Sequence, residues 1–136
     1  MNTGQRKHEQ ATLELHESEA IPPEMRSRVR EILRLYVPSH HRKKGLAREL
    51  MRQVCEEADA TGIVLMLWPR QYGDGEMETQ NLIAWYRQFG FIETQPAPVL
   101  MMRQPRTPVI AVGNTVDALA LRRRAILSRA VNRALH

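Results

Sequence analysis

The stretch VPSHHRKKGLARELM, residues 37–51, decides how the rest of the chain is read. Three consecutive cations, Arg42, Lys43 and Lys44, stand directly before Gly45. From there Leu46, Ala47, Leu50, Met51, Val54, Cys55 and Ala58 recur at helical spacing, with charged and polar residues on the opposite face. A helix N-terminus is already the positive end of the macrodipole, so cations gathered there repel it and one another. An anion held among them removes the conflict. A glycine-bearing loop feeding a helix N-terminus suits that task, because the first-turn N–H groups have no partner within the helix. Gly45 permits a positive φ or a close backbone approach, and Ala47 keeps the first turn thin. The pattern is neither a P-loop nor a dinucleotide fingerprint, since GxxxxGK[ST] and GxGxxG are both absent.

Working outward, EILRLYV (31–37) alternates as a strand. Leu33, Leu35 and Val37 fall on the face of Glu31, and Ile32, Arg34 and Tyr36 on the other. Pro38 ends it. Past the helix, Gly62 occupies a C-cap position, and IVLMLW (63–68) is apolar on both faces, as in a strand covered on both sides. This strand–helix–strand unit is long enough for a crossover, which predicts a parallel pair. Leu82, Ile83, Tyr86 and Phe89 trace a second helix closed by Gly90, and FIETQPAPVLMMRQP reads as two short strands broken by Pro96 and Pro98. Upstream, residues 11–17 read as an edge strand, IPPEMRSRV as a short helical turn, and residues 1–10 as a loose polar lead. The predicted class is α/β (α+β): a mixed, mostly antiparallel sheet around a central parallel strand–helix–strand unit, plus a C-terminal helix. The domain runs over 1–104, a linker over 105–113 and a basic helix over 114–136.

The chain has 136 residues, 43% hydrophobic and 26% charged, an ordinary globular mixture with room for a modest core. One cysteine rules out an intramolecular disulfide and a zinc–cysteine cluster. No ligand cluster points to a metal; the adjacent His40 and His41 diverge along an extended loop and are read as bordering an anion. The leading segment has no apolar core of a secretory signal, and no apolar run is long enough to cross a bilayer, so the expectation is a cytoplasmic protein with no membrane partner. The net charge of +5 is uneven: residues 113–136 hold five arginines against one aspartate, +4, which leaves +1 for the rest. That tail is amphipathic and basic. Subunit packing, nucleic acid phosphates and an acidic or membrane surface compete as its partner. Five arginines without interleaved aromatics make nucleic acid the weak reading, and a homo-oligomer through this helix the favoured one.

Arg42-Lys43-Lys44-Gly45-Leu46-Ala47 resembles the acyl-CoA pyrophosphate loop, Q/R-x-x-G-x-G/A, of the GCN5-related N-acetyltransferase (GNAT) superfamily. The strand before it, the helix after it, and the later Leu82–Phe91 segment with its Trp-Tyr pair and Gly-Phe follow that family's order. The chain departs from the pattern at Lys43, where glycine is frequent, and at Thr79, where asparagine is frequent. Only about thirty residues precede the 31–37 strand, where family members usually carry a strand and two helices. The resemblance is to an N-terminally short form, with an acceptor pocket either open or completed by another subunit.

The resemblance implies an N-acetyltransferase that moves an acetyl group from acetyl-CoA, as co-substrate, to a primary amine of a small molecule or protein. Pantetheine would lie along Leu35, Tyr36 and Val37, between this strand and the splayed 63–68 strand. Arg42, Lys43, Lys44, Gly45, Leu46 and Ala47 would hold the diphosphate. Glu31, eleven residues ahead of Arg42, stands where histone-type members carry a general base; the bland reading is a strand-end glutamate paired with Arg30 or Arg34. Tyr86 stands at the family's proton-donor tyrosine; the bland reading is a core aromatic beside Leu82 and Phe89. Cys55, on the apolar helix face, reads as packing. Trp68 and Tyr72 read as core or as acceptor contacts. Two other functions stay open: a non-catalytic CoA-binding or regulatory module, and a nucleic-acid-associated protein led by the tail.

Overall fold

The structure is a computed structural model and describes residues 1–70 and 77–106. Tyr72, most of the predicted linker and the predicted helix over 114–136 lie outside the described residues. Among the described residues six strands form one sheet: β1 (Gly4–His8), β2 (Ala11–His16), β3 (Val29–Tyr36), β4 (Val64–Leu67), β5 (Ile92–Pro96) and β6 (Val99–Arg103), in the spatial order β1-β2-β3-β4-β6-β5. Only β3 and β4 run parallel, joined through α1 (Leu46–Thr61); every other pair is antiparallel. A 3-10 turn, Pro23–Arg28, precedes β3, and α2 (Thr79–Arg87) joins β4 to β5. This is the expected mixed sheet around a parallel strand–helix–strand unit.

Apolar periodicity puts the core on both faces. The α1 stripe of Leu46, Leu50, Met51, Val54, Cys55 and Ala58 is buried together with Leu13, Leu15, Ile32, Leu65, Leu67 and the α2 residues Leu82, Ile83 and Tyr86. On the other face Ile21 and Met25 pack with Val29, Val64, Met66, Leu100 and Met102. All four residues of β4 are buried, as a strand covered on both sides requires. Helix α1 ends on Gly62 at φ +69°, its N–H bonded to the Ala58 carbonyl, the predicted C-cap.

Two expectations need correction. The 11–17 segment is not an edge strand: residues 4–8 of the polar lead form β1, which pairs with β2 from Gly4–Leu15 to His8–Ala11. GQRKH carries no apolar alternation to announce a strand. Its inward side chains instead meet the polar flank of α1, where Arg6 pairs with Glu57 at 3.2 Å and Gln53 approaches His8 at 3.3 Å. The alternation of β3 also breaks. Arg34 has φ +56°, and the β2–β3 register slips between Thr12 and Glu14, which marks a bulge. Leu35 and Val37 therefore pass to the face of Ile32, and no longer share that of Glu31.

Candidate functional site

The parallel ladder between β3 and β4 is short. It pairs Val29 with Val64, Arg30 with Leu65 and Glu31 with Met66, and then stops, although β3 continues to Tyr36. Beyond this fork no ladder joins β3 to β4 among the described residues. The bulge at Arg34 turns Leu35 and Val37 toward the helical side, where they form one wall of a cavity of about 430 Å³. Leu82, Trp85 and Tyr86 of α2 form the facing wall.

The mouth is built by the loop before α1. A short 3-10 turn, Ser39–His41, folds the chain back. Arg42 Nε donates to the Val37 carbonyl at 2.9 Å, and its guanidinium lies over the Tyr36 ring, 5.7 Å from the centroid. Lys43 at φ +63° and Gly45 at φ +75° are both left-handed, which bends the backbone sharply into the helix. Gly45 is the N-cap, and no side chain caps the helix from this position. The first intrahelical donor is Glu49 N–H, bonded to the Gly45 carbonyl at 3.0 Å. The amides of the first turn before it have no place in the helix ladder. A Cβ built on Gly45 meets no atom within 4 Å, so the space there is free of protein.

His41, Arg42, Lys43, Arg48 and Arg70 line the cavity, and no carboxylate does so among the described residues. An apolar trough with one cationic end and free helix amides fits an extended ligand carrying a diphosphate at one end. Of the predicted donor-binding residues, Leu35, Tyr36, Val37, Arg42, Lys43, Gly45, Leu46 and Ala47 line this cavity; Lys44 is exposed and does not.

Tyr86 also lines the cavity, with 5% of its surface exposed. Edge-to-face contacts hold its ring against Trp85 (5.2 Å, 75°) and Phe91 (5.8 Å, 66°). Glu31 does not line the cavity. It is half-buried at the last paired position of the fork, and strand alternation puts it on the Val29 face, away from α1 and α2. Reading the sequence overlooked Arg48, Arg70, Met77, Leu82 and Trp85 as lining residues. Leu82 and Trp85 were findable, because Leu82 precedes Tyr86 by four positions and Trp85 by three on the same helix; Arg70 and Met77 carry no local signal.

Outside the cavity, Arg103 at the end of β6 is buried. Its guanidinium donates from Nη1 and Nη2 to the two carboxylate oxygens of Asp59 on α1, at 2.8 and 3.0 Å, and from Nε to the Phe89 carbonyl at 2.6 Å. Burial pushes the Asp59 carboxyl up, but hydrogen bonds from Arg103 and the Arg106 backbone N–H outweigh it and hold it below the usual carboxylate range. Burial also pushes the Cys55 thiol up to about 11, which removes its nucleophilic form at neutral pH. The described residues contain no group of three His, Cys, Asp or Glu side chains that could hold a metal, and no helix long and apolar enough to cross a membrane.

Residues 10–93 match the family model described as the Acetyltransferase (GNAT) domain. No curated protein matches the chain. Among solved structures, the anti-CRISPR protein AcrVA5 aligns with a TM-score of 0.56 at 16% identity, covering 75% of this chain and 98% of that one. The PaiA N-acetyltransferase of Thermoplasma acidophilum in complex with coenzyme A aligns with a TM-score of 0.47 at 18% identity, covering 69% and 52%. An acyl-CoA N-acyltransferase from Pseudomonas aeruginosa aligns with a TM-score of 0.44 at 22% identity, covering 68% and 58%. The chain thus spans about half the length of the two acyltransferases.

Proposed function

The chain belongs to the GNAT acetyltransferase family, whose chemistry is acyl transfer, and on that premise we propose that it moves an acetyl group from acetyl-CoA directly to a primary amine. The observation that carries the proposal is the junction of three features in one cavity: the uncapped α1 N-terminus among cations, the stretch Leu35–Val37 past the end of the β3–β4 ladder, and Tyr86. Arg42, Lys43 and the first-turn amides of α1 bind the diphosphate. Backbone groups of Leu35–Val37, past the ladder with β4, orient the chain that follows it, and the apolar side chains there and on α2 exclude water. Acetyl-CoA supplies the thioester, an acyl group already activated by a thiol leaving group.

Glu31, at the fork and on the opposite face, accepts the amine's proton as the new N–C bond forms. Lysine-like amines are protonated at neutral pH, so a base raises the reactive fraction. Tyr86 gives its proton, or a fixed hydrogen bond, to the sulfur as the C–S bond breaks. Donor and acceptor thereby approach from opposite faces of the sheet and meet where β3 and β4 part.

Thiol release with a panel of amines tests this on wild type, Glu31→Gln and Tyr86→Phe. Turnover with at least one amine, reduced in both variants at unchanged acetyl-CoA affinity, is expected. A non-catalytic CoA-binding module is the second reading, favoured by the position of Glu31 outside the cavity; binding without thiol release from any amine selects it.

A further inference from the structure

Tyr86 owes its place to a group outside the cavity. It stands in the last turn of α2, and the chain leaves that helix through Gln88–Phe91, with Phe89 N–H bonded to the Tyr86 carbonyl at 3.0 Å and Gly90 N–H to the Arg87 carbonyl at 3.0 Å. Phe91 is 1% exposed and packs on the Tyr86 ring; Phe89 packs edge-on against Trp85, 4.8 Å between centroids, and Trp85 in turn flanks Tyr86. The aromatic cage of the tyrosine is thus set by where this turn lies. The turn's carbonyl at Phe89 accepts the shortest bond Arg103 makes, and Gly90, at φ +95°, passes so close that a Cβ there would sit 3.2 Å from Arg106 Nη2 and 3.6 Å from Arg103 Nε.

We propose that the Arg103–Asp59 pair is a positioning device for the Tyr86 phenol, which fixes the α2 exit turn to α1 so that both walls of the cavity hold one geometry. Asp59 belongs to the last turns of the helix whose first turn forms the cavity mouth. The bidentate pair therefore links the anion-binding helix to the turn that cages the tyrosine. A planar fork gripping a carboxylate with one edge and a carbonyl with the remaining N–H allows little rotation, which lysine cannot reproduce. The catalytic use of Tyr86 rests on the proposed function; the positioning itself does not.

The test uses the full chain with ¹³Cζ-labelled tyrosine, whose three tyrosine signals are assigned with Tyr86→Phe and Tyr36→Phe. In folded Arg103→Lys, and in the milder Asp59→Asn, the Tyr86 signal and its ionisation midpoint are expected to move while the Tyr36 signal at the other wall holds. A merely structural role lowers the melting temperature and leaves the Tyr86 signal where it was; that result in a folded variant overturns the proposal. Where an amine substrate gives turnover, Arg103→Lys is expected to lower kcat about 10- to 100-fold at unchanged acetyl-CoA affinity, and to have no further effect in a Tyr86→Phe background. Full additivity of the two substitutions also overturns it. Absence of turnover in wild type bears on the proposed function alone, because the tyrosine signals are read without it.

Discussion

Substituting Gly45 separates folding from binding at the α1 N-terminus. The residue is left-handed, φ +75° and ψ +14°, and its missing side chain faces open space. Alanine there meets no clash, so its cost is the left-handed backbone alone, about 1–2 kcal/mol. The stiffer unfolded chain offsets about 0.4–1 kcal/mol of that. A net loss near 1 kcal/mol lowers the melting temperature of a domain this size by about 4–8 °C. Glutamate pays the same backbone cost, but its charge beside the macrodipole returns about 0.3–1 kcal/mol. Gly45→Glu should therefore melt close to wild type. Its carboxylate, however, stands where the first-turn amides would receive an anion. Losing two charge-assisted bonds at about 1.5–3 kcal/mol each weakens binding by two to four orders of magnitude. Titration calorimetry with acetyl-CoA, beside thermal melts of both variants, reads the two effects separately. Acetyl-CoA binding within threefold of wild type by Gly45→Glu would refute the assignment of the helix N-terminus.

Other expectations follow from the same geometry. Glu31→Gln should lower the amine-dependent rate at neutral pH by about 10²–10⁴-fold without altering acetyl-CoA affinity, and a wild-type pH–rate profile in this variant would remove Glu31 from the chemistry. Asp59→Asn should cost about 1–3 kcal/mol at neutral pH, because buried Arg103 loses its charged partner. Since the Asp59 carboxyl is held below its ordinary value, this contribution is complete above about pH 4 and fades as pH falls through the lowered value. The melting difference between wild type and Asp59→Asn should thus be flat from pH 5 to 8 (roughly the range in which carboxylates stay ionised) and shrink in acid; a gap that widens in acid contradicts the pairing. Glu9, in the tight β1–β2 turn, has φ +50°, so Glu9→Gly should stabilise the hairpin by up to about 1 kcal/mol, measured by chemical denaturation.

What was legible in the sequence was whatever repeats with a helical or strand period. The α1 stripe, the Gly62 cap, the doubly apolar β4 and the cation-rich loop all declare themselves locally, and together they fix the parallel unit and the mouth of the cavity. Strand β1 was not legible because its partners are backbone groups of β2 and polar side chains of α1, which leave no apolar alternation. The bulge was not legible either: an arginine in the left-handed region looks like any other strand arginine, and the reversal it causes shows only in which core Leu35 joins. Arg103 carries no local signal in the sequence. Its burial follows from contacts 14 and 44 residues away in the chain, a separation at which no local pattern operates.

The bulge has a design corollary. Because one extra residue inverts the strand halfway, β3 addresses one side of the protein with Glu31 and the other with Leu35 and Val37. Excising Arg34 to straighten the strand would favour a longer zipper with β4, a gain in any fold engineered for ruggedness alone. The same repair would swing Leu35 out of its wall and seal the slot between the strands, so the straightened protein would be sturdier and empty-handed.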